Sequence, residues 1–140
     1  LWIFCRIYRN DVNNFRSKYY RQGLFPKDFK GKNLTDMDTM HKAGAPGFTD
    51  DGIPLLDEDF VREAMKKVKE LDVPISLHEE DPAYIKQQGV NQGKVSEQLN
   101  YGGASYLAEA VMVKRDCELA LETGAAVDIQ HISLHRLWNM

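Results

Sequence analysis

Apolar residues follow two different rhythms along this chain. Across residues 57–71, Phe60, Val61, Ala64, Met65, Val68 and Leu71 recur at three- and four-residue steps, the stripe of an amphipathic helix. Asp57, Glu58 and Asp59 open that stretch and Lys66, Lys67 and Lys69 lie toward its end, the order the helix dipole favours. Across residues 73–78 the step shortens to two, with Val73, Ile75 and Leu77 apolar, Pro74 near the start and an acidic cluster beyond His78. That pattern predicts a short buried strand. Thr35 reads as the N-cap of an earlier helix, with Asp36 and Asp38 in its first turn, Met37, Met40 and Ala43 as its stripe, and Gly44 as its end. Residues 47–50 predict a strand, with Pro46 tolerable at its start. Residues 104–123 predict a second strong helix that packs through Leu107, Ala110, Val111, Leu119 and Ala120 and stops at Gly124. Residues 126–130 predict a third strand.

Helix and strand therefore alternate, which predicts an α/β fold with a parallel sheet. The stretch between the second strand and the second strong helix, residues 79–103, is polar and contains Gly89, Gly93, Gly102 and Gly103. It reads as a long loop, and a loop of that length is usually functional. Residues 1–30 show no sustained period and stand apart in charge as well. Residues 1–33 carry eight Lys or Arg against two Asp, although the whole chain of 140 residues is net −3. A basic arm for binding is one reading of that excess; a segment outside the regular pattern is the plainer one.

Composition narrows the class without choosing within it. Apolar residues at 43% and charged residues at 28% suit a globular domain. No apolar run approaches the ~18 residues of a membrane span, and the slightly acidic balance gives no reason to expect a nucleic acid. Cys5 and Cys117 form no Cys-x-x-Cys pair, so a reducing cytoplasm is the expected location.

The chemistry gathers where the strands end. In parallel sheets, sites form at the carboxyl ends of strands, and the three predicted strands run out at Asp50-Asp51, His78 and His131. Each residue alone has a plain explanation. Asp-Asp-Gly is a common turn, a histidine at a strand end is commonly a hydrogen-bonded rim residue, and Glu79, Glu80 and Asp81 suit a solvated loop start. His41 and His135 read as structural or surface residues. Together, a carboxylate and two imidazoles at one sheet edge, on strands ~4.8 Å apart, form a normal first-row metal set, with zinc leading. If Asp51, His78 and His131 share an ion, the two rings should approach within roughly 5 Å and the carboxylate within roughly 6 Å of one of them. A serine triad lacks its Gly-x-Ser-x-Gly elbow. Tyr101-Gly102-Gly103-Ala104-Ser105 enters a helix but fits neither phosphate-binding spacing.

Three segments, Gly47-Phe48-Thr49-Asp50-Asp51-Gly52, His78-Glu79-Glu80-Asp81 and Gln130-His131-Ile132-Ser133, resemble consecutive motifs of bacterial dihydroorotases, over roughly residues 31–133. The resemblance implies the amidohydrolase superfamily and a partial (β/α)8 TIM barrel, with about three parallel β-α units that correspond to its fourth to sixth strands. It implies a zinc-dependent cyclic amidase that interconverts N-carbamoyl-L-aspartate and dihydroorotate in pyrimidine biosynthesis. Asp51 matches the metal-bridging position, and His78 and His131 match two metal-binding histidines. Asp50 matches the residue before the bridging one and receives no ligand role. The implied partner is a small-molecule substrate, with no nucleic acid, no membrane and a possible homo-oligomer.

The departures are equally specific. The His-x-His pair with its substrate-binding Arg, and the acid/base Asp after the last strand of the family, have no counterpart here. Residues 1–30 do not look like the strand and helix expected before Gly31, and residues 134–140 leave the pattern again. Those features predict the central part of a longer barrel (31–133) between an irregular segment and a divergent tail, with reading-frame damage at both ends as the explanation. Such a piece is expected to be inactive alone. A hydantoinase- or allantoinase-like amidase and a non-catalytic scaffold of the same fold are the competing readings; Asp51 in place of a lysine favours the first assignment.

Overall fold

The computed structural model describes residues 23–24, 34–50, 53–130 and 132–133. Among the described residues four parallel strands form one sheet in sequence order: β1 (Gly23–Leu24), β2 (Phe48–Thr49), β3 (Ile75–Leu77) and β4 (Val127–Ile129). Helices α1 (Met37–Lys42), α2 (Glu58–Leu71), α3 (Lys94–Gln98) and α4 (Leu107–Thr123) lie between them. Strands that run parallel and adjacent need crossover connections, and α2 and α4 supply those between β2 and β3 and between β3 and β4. The three expected strands are present. β1 falls in the aperiodic segment, where two residues are too short to leave a two-residue rhythm.

Helix ends follow their local chemistry. Asp57 caps α2 by accepting the Phe60 N–H at 3.1 Å, and Asp72 closes it in the left-handed region. Gly124 closes α4 at φ 70°, a conformation glycine adopts without a Cβ penalty. At α1 the expected Thr35 cap is corrected to Asp36, whose carboxylate accepts the Thr39 N–H at 3.0 Å. Both residue types cap well; the charged oxygen wins and leaves Thr35 facing the Met40 sulfur.

Register decides which side chains share a face. Phe48 pairs with Ile75 and Ile75 with Val127, while Thr49 pairs with Ser76 and Ser76 with Asp128. Because side chains alternate along a strand, the first set faces the helices and the second lies on the opposite face. Phe48, Ile75 and Leu77 accordingly join Val61, Ala64, Met65 and Val68 of α2 and Leu119 of α4 in one buried cluster. Gly47 permits this packing: a Cβ there would meet the Pro74 carbonyl oxygen at 2.9 Å.

Two sequence expectations change. The stretch 79–103 is not an unstructured loop. It holds a 3-10 turn at Pro82–Tyr84, helix α3, and bridges from Ala104 to Ile85 and Asn91. These elements are too short to show periodicity. On α4 the fully buried residues are Ala108, Met112, Val113, Asp116 and Leu119, whereas Leu107, Ala110, Val111 and Ala120 are half-buried. Apolar residues surround much of that helix, so its stripe was ambiguous.

Met65 is fully buried, whereas Leu121 is 58% exposed. Met65→Ala is therefore expected to lower the unfolding free energy by about 2–5 kcal/mol, and Leu121→Ala by less than about 0.5 kcal/mol, in urea titrations. Among the described residues no strand covers the outer edge of β4, and its side chains are half-buried or exposed. An open parallel edge of this kind invites pairing, so sedimentation velocity should show concentration-dependent association of the 140-residue chain.

Candidate metal centre

His78 lies directly after β3, at the carboxyl end of the sheet where the sequence placed it. It follows Ser76 by two residues, so the alternation of the strand gives both the same face. That face is polar: Ser76 donates to Asp128 at 3.0 Å, and Gln130 reaches Thr49 across the sheet at 3.5 Å. The His78 side chain is 16% exposed, and its Nε2 lies 3.3 Å from a Glu80 carboxylate oxygen. The His78 backbone is held from the neighbouring strand, its N–H donating to Asp50 Oδ2 at 2.9 Å.

Asp51 and His131 lie outside the described residues, and with them the expected distances among the three proposed ligands. Among the described residues no group of three or more His, Cys, Asp or Glu side chains forms a metal cage. The described part of the site supplies one imidazole, that of His78, with the Glu80 carboxylate beside it. The Nε2–Glu80 separation of 3.3 Å is that of a direct hydrogen bond or ion pair, which orients the ring. Glu80 lies beyond β3, in keeping with a loop start, and faces the imidazole.

The acidic cluster that reads as one solvated patch divides into three separate roles. Asp81 caps the 3-10 turn through the Ala83 N–H, Glu80 meets His78, and Glu79 turns inward. Glu79 is only 3% exposed, and neither of its oxygens finds a hydrogen-bond donor among the described residues. Loss of water first, then the negative charge of Asp116, push its pKa up to about 9, with Arg115 opposing the shift. A carboxyl in that state keeps its proton at neutral pH and can donate a hydrogen bond to Asp116. Asp116 is itself held by Arg115 through two contacts of 2.8 Å, and Arg115 also donates to the Leu55 carbonyl at 2.7 Å. Arg115 and Asp116 thus join α4 to the segment leading into α2, beneath the strand ends.

A second anchor lies at the exit of β4. The Ser133 N–H donates to Glu109 at 3.0 Å, the Ser133 hydroxyl also contacts Glu109, and Asn91 donates to the Ser133 oxygen at 3.2 Å. This ties the third motif to α4 and to the segment after His78. Sequence reasoning missed Glu109, Arg115 and Asp116, because a charged residue within a helix carries no sign of a partner 24 or 60 residues away. His41 is structural, as expected, with Nδ1 3.2 Å from the Ala45 carbonyl oxygen. His135 lies outside the described residues. Burial, and then the nearby carboxyl groups, push the Cys117 thiol above its ordinary pKa.

Comparison with known proteins decides the family. The family model described as Dihydro-orotase-like matches residues 2–136. The chain belongs to the dihydroorotase-like family. A dihydroorotase from Clostridioides difficile (strain 630) is 63% identical over 107 residues, 76% of this chain and 25% of the relative. Dihydroorotases from Clostridium acetobutylicum and Lactococcus lactis subsp. lactis are 50% and 49% identical over 111 residues, 79% of this chain and 26% of each relative. The chain spans about a quarter of the length of the curated relatives it matches. Within this dihydroorotase-like family, the parallel strands with their crossover helices are consistent with an arc of the (β/α)8 barrel.

The buried acid gives a pH test with a definite sign. Glu79 binds its proton more tightly in the folded chain than in the unfolded one, so its own contribution to folding stability is full below the ordinary carboxylate range and is lost as pH rises toward about 9. Glu79→Gln keeps the shape and removes the titration. It is expected to raise the midpoint of thermal unfolding at pH 8 and to flatten its decline between pH 5 and 9, as followed by circular dichroism.

Proposed function

We propose that this chain contributes the central metal-binding arc of a dihydroorotase, which opens dihydroorotate to N-carbamoyl-L-aspartate and closes it again. The observation that carries the reading is 63% identity to a dihydroorotase over 107 residues, beside a family match over residues 2–136 that includes all three strand-end motifs, with His78 at the carboxyl end of β3. Asp51, His78 and His131 would hold zinc. Bound zinc supplies polarisation of the ring amide carbonyl and lowers the pKa of water toward about 7.

The contributions of the chain itself are positional. The parallel strands bring His78 to the sheet edge, the Asp50 carboxylate fixes its backbone, and Glu80 faces its ring. Glu109 secures Ser133, two residues beyond His131. The acid/base Asp and substrate-binding Arg implied by the family resemblance have no counterpart in these 140 residues, so catalysis also requires the remainder of a barrel. The natural ligand is a small anionic molecule, and pyrimidine synthesis favours a cytoplasmic location. The half-buried outer edge of β4 favours a partner, either further barrel or a second copy.

The test is turnover of dihydroorotate. The 140-residue chain with zinc is expected to show none. A chimera carrying this chain in place of the corresponding quarter of the Clostridioides difficile protein is expected to open the ring. His78→Ala in the chimera should cut kcat/KM by about 100-fold or more, equivalent to about 2.7 kcal/mol of transition-state stabilisation. A folded, zinc-loaded chimera without turnover, or one indifferent to His78→Ala, would overturn the assignment.

A further inference from the structure

We propose that Asp50 is a positioning residue for the metal centre, acting through the backbone of His78 and not as a ligand. Asp50 follows the last residue of β2 and is 1% exposed. A carboxylate removed from water needs donors, and one of its donors is the His78 N–H, 2.9 Å from Oδ2. The contact lies just beyond the paired residues of β2 and β3, which end at Thr49 and Ser76. There a side chain replaces the carbonyl that would otherwise continue the ladder. That acceptor oxygen fixes the backbone of His78 where regular pairing has stopped. Glu80 meets the ring at the other end of the same residue. The neighbouring strand thus sets the origin of the imidazole, and displacement of that origin would carry the ring nitrogens away from a shared ion.

This inference rests on the reading of His78 as a metal ligand, and the experiment separates the two. Cobalt(II) is titrated into the 140-residue chain, its ligand-field absorption is recorded, and amide hydrogen exchange is measured without metal. Asp50→Ala is expected to weaken cobalt binding by about ten-fold or more and to speed exchange at the His78 amide ahead of Ile75 to Leu77. Asp50→Asn keeps an oxygen acceptor without the charge, and is expected to hold cobalt within about three-fold of wild type with His78 still protected. Loss of cobalt binding by about ten-fold or more in a folded Asp50→Asn would make the charge essential and overturn the positioning role, whether or not the alanine variant folds. Unchanged binding in Asp50→Ala would overturn this proposal alone. A wild-type chain that gives no cobalt spectrum would overturn the metal reading and this proposal together.

Discussion

A strand in a sheet offers each face only every second side chain, and the remainder of this structure depends on that alternation. Phe48, Ile75 and Leu77 go to the helices and form the core with α2 and Leu119 of α4. Thr49, Ser76 and Asp128 are in register on the other face, which is hydrogen-bonded and not greasy. Continuing past the strand ends, the same rule separates two kinds of chemistry. His78 follows Ser76 onto the polar face, while Glu79 follows Leu77 toward α4. Neighbours in sequence thereby acquire unrelated tasks.

The cost of this arrangement lies beneath the site. Glu79 is buried beside Asp116, and two like charges that close and dry cannot both persist. The proton retained on Glu79 and the guanidinium of Arg115 settle the conflict between them. Arg115 also bonds the Leu55 carbonyl, so the charge network doubles as a tie between α4 and the chain entering α2. On the outer surface Arg62 makes a weaker tie, from α2 to Glu122 of α4 at 3.0 Å. Exposed pairs of that kind contribute little; the buried network is the one whose disruption would strand a charge.

The segment between β3 and α4 shows how anchoring replaces periodicity. Its backbone is held by the Asp81 N–H on the Ala108 carbonyl at 3.0 Å and by Ala104 and Val90 at 2.8 Å. Gly103 is buried there at φ 65°, and a Cβ would meet the Val90 carbonyl oxygen at 2.9 Å. Asn91 then reaches Ser133 at the exit of β4. Residues far apart in sequence thus brace the sheet edge on which the proposed dihydroorotase chemistry depends.

The sequence by itself determined the α/β alternation, three of the four strands, the long helices and their stops, because hydrophobic rhythm and capping are local properties. It also singled out His78 as a strand-end residue, since a strand that stops on an imidazole is visible without a partner. The Asp36 cap, the folded state of residues 79–103 and the buried face of α4 were decided by competition among contacts, which rhythm does not record. Tertiary structure alone assigned Glu79, Glu80 and Asp81 their separate surroundings. It alone brought Asp50 to the His78 amide across 28 residues, and Arg115 to Leu55 across 60. Burial and partnership are properties of packed elements. A carboxylate in a sequence carries its charge with it, but only the fold decides whether water, a proton or a backbone N–H will answer that charge.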